Sequence, residues 1–453
     1  MPNTLNNKQH YRLSILLSTI IICIPAFINN FPFIYSDTGT YLETGFSNAV
    51  SYIRPITYGI FMRHISLHQS LWLVIVVQAF IISWLIHLFT KTFFKNASPF
   101  KLVLSVSILT ATTSIGVSTG MLMPDFTAPI LILAPALLLF SDIKSKWRLF
   151  FIGLALWFTV AVHHSHGYIL FLILLSLGFK WLFFGKNLQF QANKRFLLVV
   201  FLLVMGYFTI PSLTYSRTGN FIGSKSANIF LMNRINQMGL LKSFLDKQCP
   251  TKQYPICQYK DNIPKSFLWG SNTPVKKDRG WVANNDSYEE IIIDFIKTPR
   301  YLEKFIIKSL ETGVQQFFSI RAVRMMPLYS GKWPQQEFEH YMPDVVPALE
   351  KSMVNKGIWN SSYLDIAQHI IVFSSTLLLL YLFFYQKKYP IDPVHRNLAF
   401  LLLMALLSNA FICGGISMIA PRFQSRMIWV VPLFAMYLGH DYLWNQANNT
   451  KYI

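Results

Sequence analysis

Three acidic residues stand where an apolar chain has least reason to carry them. Asp37 and Glu43 occur in FPFIYSDTGTYLETGF and Asp125 in STGMLMPDFTAP, both short connections between apolar stretches. A carboxylate close to hydrocarbon is costly unless it is solvated, paired or bound to a metal. Two such acids in neighbouring connections are therefore expected to share a site, where they could take a proton from a hydroxyl or hold a cation. Capping the helix that follows is the plainer use of Asp37 and Asp125.

Cations and histidines accompany them. Arg54 lies in SYIRPITYG, and Arg422 and Arg426 lie in PRFQSR. Four residues apart, the latter two share one face of a helix that begins at Pro421. A guanidinium fork binds two oxygens and stays charged, which suits phosphate; contact with phospholipid headgroups is the plainer role. HHSHG brings His163, His164 and His166 into one turn. Such a group could bind metal, share a proton or contact phosphate. Its spacing matches no standard zinc motif, and an ordinary helix-end histidine is the plainer reading.

The elements that must position these residues are legible in composition. The 453 residues are 53% hydrophobic and 13% charged, where a soluble protein carries about 25% charged residues; the mean hydropathy is +0.38. This excludes a cytosolic enzyme, a disordered tail protein and a nucleic-acid binder, although the net charge is +20. A spanning helix needs about 20 mostly apolar residues. Ten stretches are expected to span: 13–30, 71–89, 102–118, 127–140, 149–162, 167–184, 196–215, 366–385, 398–414 and 427–439. Lys8 and Arg12 precede the first, and no small-residue cleavage site follows it, so it reads as an uncleaved anchor.

Charge in the short connections sets the expected orientation. Lys91, Lys95 and Lys101; Lys144, Lys146 and Arg148; Lys186, Lys194 and Arg195; and Lys387, Lys388 and Arg396 all fall on the N-terminal side. By the positive-inside rule that side is the cytoplasm, with both termini on it. Asp142, Asp392 and Asp441 are solvated there. Asp37, Glu43, Asp125, Arg54, Arg422 and Arg426 then share the outer face.

Three regions follow: 1–216 with helices 1–7 and the acidic outer connections, 217–365 as an extracytoplasmic domain, and 366–453 with helices 8–10 and a cytoplasmic tail. The middle region holds 14 of the 20 acids and CPTKQYPIC, whose Cys249 and Cys257 suit a disulfide in an oxidising compartment. Cys23 and Cys413 read as packing residues. High Phe, Ile, Asn and Lys content suggests an AT-rich bacterium and its inner membrane. No internal repeat, low-complexity tract or Gly-rich phosphate loop is present.

The first connection, YSDTGTYLETG with SDTGTYL…G…RPITYGIF, resembles that of the GT-C class of membrane glycosyltransferases: acid, Tyr, Gly, then Arg-Pro or Pro-Pro before an amphipathic segment. MPDFTAP resembles the second acidic position of that class. The resemblance covers about the first 170 residues and the general layout, although three spans follow the soluble domain that many members carry at the C-terminus. It implies an all-α polytopic, GT-C-like membrane protein of about ten helices, with one extracytoplasmic domain between helices 7 and 8. It also implies a polyprenyl-phosphate-linked sugar as donor and a lipid, glycan or protein as acceptor, at a membrane-lipid surface.

By the same analogy, Asp37 is the base, with Asp125 as the second acid. Arg54, Arg422 and Arg426 hold the donor phosphate, and Tyr41 stacks on sugar or prenyl. Glu43, His163, His164 and His166 orient the acceptor. A divalent cation such as magnesium or manganese, held by Asp37 and Asp125, is the cofactor the class admits. The segment NRINQMGLLKSFLDKQCPTKQYPICQY together with PRFQSRMIW also resembles a group of bacterial membrane proteins that lends no activity.

Two other classes compete. An O-antigen ligase or polymerase-like enzyme relies on arginines in or beside the large loop, such as Arg217, Arg321 and Arg324, and leaves Asp37 dispensable. A lipid or anion transporter binds near the bilayer midplane between broken, repeated helices; acids inside the spans are nearly absent here, and there is no repeat. A membrane-bound acyltransferase wants a histidine buried within a helix, for which His87 and His369 are poorly placed.

Overall fold

The computed structural model describes residues 2–184, 192–270, 272–277 and 280–444. Lys186, the side chain of Lys8 and the 445–453 tail lie outside the described residues. From the N-terminus run α1 (Pro2–Ile28), α2 (Ser36–Phe46), α3 (Thr57–Ser66), α4 (Leu71–Phe93), α5 (Pro99–Thr112), α6 (Ile115–Thr119) and α7 (Ile130–Phe140). Then come α8 (Lys146–Ala161), α9 (His164–Phe184), α10 (Ala192–Thr218), α11 (Ala227–Gln237), α12 (Leu241–Gln248), α13 (Pro274–Lys277) and α14 (Gly280–Lys297). The last third holds α15 (Pro299–Phe318), α16 (Gln335–Tyr341), α17 (Val346–Glu350), α18 (Ser362–Phe384), α19 (Pro393–Ala410), α20 (Arg422–Ile428) and α21 (Val430–Gly439).

Six of these, α1, α4, α9, α10, α18 and α19 with its extension to Ser417, contain 20 to 25 residues long and apolar enough to cross a membrane. Their free faces are apolar: Leu13, Leu16 and Ile20 on α1, and Ile366, Ile370 and Phe373 on α18, are exposed. Soluble proteins rarely present such continuous faces, and the chain is an all-helical protein suited to a bilayer. The helix α7, ILILAPALLLF, is buried along its whole length. It is apolar on every side because α4, α8, α10 and α19 pack around it.

The other four expected spans fall in shorter or interrupted helices. The 102–118 stretch breaks at Thr113, which is extended and lies between α5 and α6. The break leaves the Ser114 N–H without an intrahelical acceptor, and Gln368 Oε1 of α18 accepts it at 2.7 Å. The 127–140 stretch is α7 preceded by a 3₁₀ turn, Pro124–Thr127. The 149–162 stretch is the 16-residue α8. The 427–439 stretch is shared by α20 and α21. At the other end of α19 a π-helical turn, Phe411–Ser417, carries the chain toward α20.

The long hydrophilic segment between α10 and α18 is divided between two cores. Residues from Ile229 to Tyr301 form a small core of their own around Phe244, Phe267, Tyr288 and Phe295. The disulfide Cys249–Cys257 packs on it. Ala322, Phe338, Met342 and Leu349 instead join the core of the main bundle. Asn29, just past α1, fastens this half: its carbonyl accepts from Met353 N at 3.0 Å, and its Oδ1 from Val354 N at 2.9 Å. Arg234 ties the small core to the π turn. It donates to the carbonyls of Gly415 (3.0 Å) and Gly414 and to Thr312 Oγ1 (2.5 Å).

The disulfide closes a short loop, whose chain-entropy contribution is about 2–3 kcal/mol. Non-reducing mass spectrometry is expected to find Cys249 linked to Cys257. Cys249→Ser should make the 227–301 region measurably more susceptible to limited proteolysis while the bundle stays resistant.

Candidate functional site

The two acidic connections are joined by the backbone. Phe33 and Met121 form a parallel β-bridge, in which Phe33 N donates to Gly120 O (2.9 Å) and Leu122 N to Phe33 O (3.0 Å). Thr38 continues the seam, its Oγ1 accepting from Tyr35 N and donating to Leu122 O, each at 3.1 Å. Asp37 is the second residue of α2, and Asp125 lies in the 3₁₀ turn that follows the bridge. Neither caps its helix through its side chain. A second close contact aims Arg54: α2 and α3 meet at Gly45 and Gly59, where a Cβ on Gly45 would stand 2.3 Å from Gly59 O. Only glycine permits that approach, and it folds the linking loop, with Arg54, back toward α2.

The arginine pair of PRFQSR meets both acids. Asp37 Oδ2 accepts from Arg54 Nη2 at 2.8 Å and from Arg422 Nη2 at 3.1 Å. Asp125 Oδ1 accepts from Arg426 Nη1 at 3.2 Å. The two groups differ in access. Side-chain exposure is 14% for Asp37, 19% for Arg54 and 10% for Arg422, against 4% and 1% for Asp125 and Arg426.

Arg426 is held further by Asn409 Oδ1 (3.3 Å) and Cys413 Sγ (3.7 Å). It is a buried strut between α19, α20 and the Asp125 turn. Arg422 stacks on Tyr35, 4.2 Å from the ring centroid, and its Nη1 is buried with no hydrogen-bond partner. That orphan donor marks where an anion's oxygen would be welcome. Burial pushes the Asp37 carboxyl up, but the charges and hydrogen bonds of Arg54 and Arg422 outweigh it and hold the group below the usual carboxylate range.

Arg54 also reaches a cavity of about 620 Å³, whose polar end it forms with His163, His164 and Ser165. Tyr168, Tyr207, Phe230 and Ile412 supply apolar wall from α9, α10, α11 and the π turn. His163 Nδ1 faces Ser165 Oγ at 2.8 Å, and its ring stacks on His166 with centroids 4.8 Å apart. His166 is fully buried, its Nδ1 2.9 Å from Thr159 O. Of the three histidines, His163 and His164 line the cavity and His166 supports them from behind.

Tyr41, one turn after Asp37 on the same face of α2, lies within the field of Arg54, Asp37, Asp125 and Arg422. It is fully buried, edge-on to Tyr58 with centroids 4.9 Å apart, and turned into the core. Glu43 faces α16, where burial and then the charge of Glu337 raise its carboxyl. Arg217, Arg321 and Arg324 are exposed. Sequence reasoning passed over Asn409 and Gln78. Gln78 accepts from Tyr58 Oη at 2.6 Å and donates to Thr119 O (2.6 Å) and Met121 O (3.0 Å), bracing the seam from α4. Both are polar residues inside long apolar helices, the signal that could have found them.

With nothing bound, both acids are engaged by arginine and neither is free to ligate a cation. Among the described residues no group of three His, Cys, Asp or Glu side chains converges. Magnesium wants six oxygens in near-octahedral array. The arrangement suits a phosphate ester, whose charge the arginines complement.

Two outcomes follow. Arg426→Gln leaves Asp125 buried and uncompensated, and should cost about 3–5 kcal/mol, seen as a lowered unfolding midpoint in detergent. The depressed Asp37 carboxyl contributes stability that is fully present above about pH 4, its unfolded-state value, and is lost as pH falls through the lower native value. The stability gap between wild type and Asp37→Asn should therefore stay level from pH 8 to 5 and close below about pH 4 in a thermal-midpoint series. No family model matches the chain, nor does any curated protein or solved structure.

Proposed function

We propose that the protein is an integral membrane glycosyltransferase. It moves a sugar from a polyprenyl-phosphate donor to a lipid, glycan or protein acceptor at the outer face of a bacterial inner membrane. The observation that carries this reading is one carboxylate, Asp37, held between Arg54 and Arg422, with Arg54 shared by an apolar-walled cavity. A lipid-linked sugar phosphate needs those three things together: cations for the phosphate, a base for the acceptor, and an apolar wall for the chain.

In this reading Asp37 occupies the phosphate's place when no donor is bound. The donor phosphate takes over the guanidinium forks of Arg54 and Arg422, and the orphan Nη1 of Arg422 supplies a further donor. Relieved of two positive neighbours, the carboxylate becomes a stronger base. It accepts the proton of the acceptor hydroxyl as that oxygen bonds to the anomeric carbon. The bond from that carbon to the phosphate oxygen breaks, and the arginines stabilise the charge that collects on the departing phosphate. His163 and His164 border the same space and orient the acceptor. Arg426 and Asp125 hold α20 in place and are not asked to touch the donor.

In a strain lacking the gene, wild type should restore a missing envelope sugar. Asp37→Asn should insert normally and restore none; rescue by that variant would overturn the assignment of the base. Arg54→Ala or Arg422→Ala should lower kcat/KM on the order of 100-fold. Unchanged envelope glycans, with an altered distribution of a lipid or ion, would favour a transporter instead.

A further inference from the structure

A second cavity, about 990 Å³, shares no lining residue with the one that Arg54 reaches. It is a groove between α18 and α19, closed at one end by Phe317 and Phe318 of α15. Its walls are apolar, with Phe373, Leu380, Leu403 and Leu406 among them. The lining positions on α18 run from His369 to Phe383. At about 1.5 Å per residue that is about 21 Å, longer than half of the roughly 30 Å hydrocarbon core. Ile370, Phe373, Leu380 and Leu403 are all exposed on it.

The end away from α15 is cationic. Arg396, in the first turn of α19, lines the groove and is itself exposed. Lys180 of α9 lies over the ring of Phe400, a lining residue, at 4.3 Å. It donates to Asn397 Oδ1 at 3.0 Å, and Asn397 Nδ2 is buried without a hydrogen-bond partner. Among the described residues no carboxylate pairs with Lys180 or Arg396 within 4 Å; Asp392, one turn before Arg396, makes no ion pair with it. Two neighbouring cations at the mouth of an apolar groove, at the N-terminus of a helix, complement an anion that carries a hydrocarbon chain.

We propose that this groove is a site for an anionic phospholipid. The headgroup phosphate lies between Arg396 and Lys180, and an acyl chain runs along α18 and α19 toward Phe317. This proposal is independent of the glycosyltransferase reading, since the groove touches none of Asp37, Arg54 and Arg422.

The test is native mass spectrometry of the full-length protein, released from micelles containing equimolar phosphatidylglycerol and phosphatidylcholine. Wild type should retain phosphatidylglycerol over phosphatidylcholine by about tenfold. Arg396→Gln with Lys180→Gln should bring that ratio close to one. Leu403→Trp, which fills the groove from an exposed position, should reduce retention of both lipids. Equal retention of the two lipids by wild type would overturn the proposal without any variant. So would selectivity that survives the loss of both cations, or undiminished retention by Leu403→Trp.

Discussion

Arginine cannot shed its charge, and that constraint organises one whole end of this bundle. Arg422 and Arg426 stand one turn apart on α20, both almost wholly buried. Removing an ion from water costs several kcal/mol even after the protein relaxes. The chain meets this cost with one acid for each: Asp37 from the first connection and Asp125 from the connection before α7. For both pairs to close, the two connections must lie side by side. The Phe33–Met121 bridge, the Thr38 bonds and Gln78 hold them there. The position of α20 follows from electrostatics as much as from apolar packing.

The two pairs share chemistry but not environment. Asp125 and Arg426 are sealed between α19, α20 and the turn before α7, away from solvent. Asp37 has partial exposure, two cationic partners, and access through Arg54 to a cavity. Such a carboxylate is satisfied while nothing else is bound and is displaceable by a better anion. A phosphate with two or three charge-assisted hydrogen bonds is such an anion.

Much of this site was visible in residue types. Asp37, Asp125, Arg54, Arg422 and Arg426 stood out because charged side chains are rare in apolar sequence, and all five converge. The pairing was not visible, since a partner 301 or 385 residues away leaves no periodicity to read. Tyr41 and Glu43 share Asp37's short helix: Tyr41, four residues on, packs on Tyr58 on the same face as Asp37, while Glu43, two residues further, faces α16. The ten apolar stretches are helical, yet Thr113 breaks one of them, because Gln368 of a distant helix satisfies the freed N–H. The hydrophilic segment read as one domain, and its second half joins the bundle through Asn29. Hydropathy does not report which core a segment joins.

The separation of the paired residues along the chain also sets an order of events during synthesis. At about 5–20 residues per second, the ribosome reaches Arg422 roughly 20–80 s after Asp37. Asp37 has Arg54 only 17 residues behind it, so a nearby cation can shield it from the start. Asp125 finds its ion-pair partner only in Arg426, 301 residues later. Until α20 arrives, the carboxyl of Asp125 stays hydrated or carries a proton. Final docking of the Asp125 turn is tied to the arrival of α20.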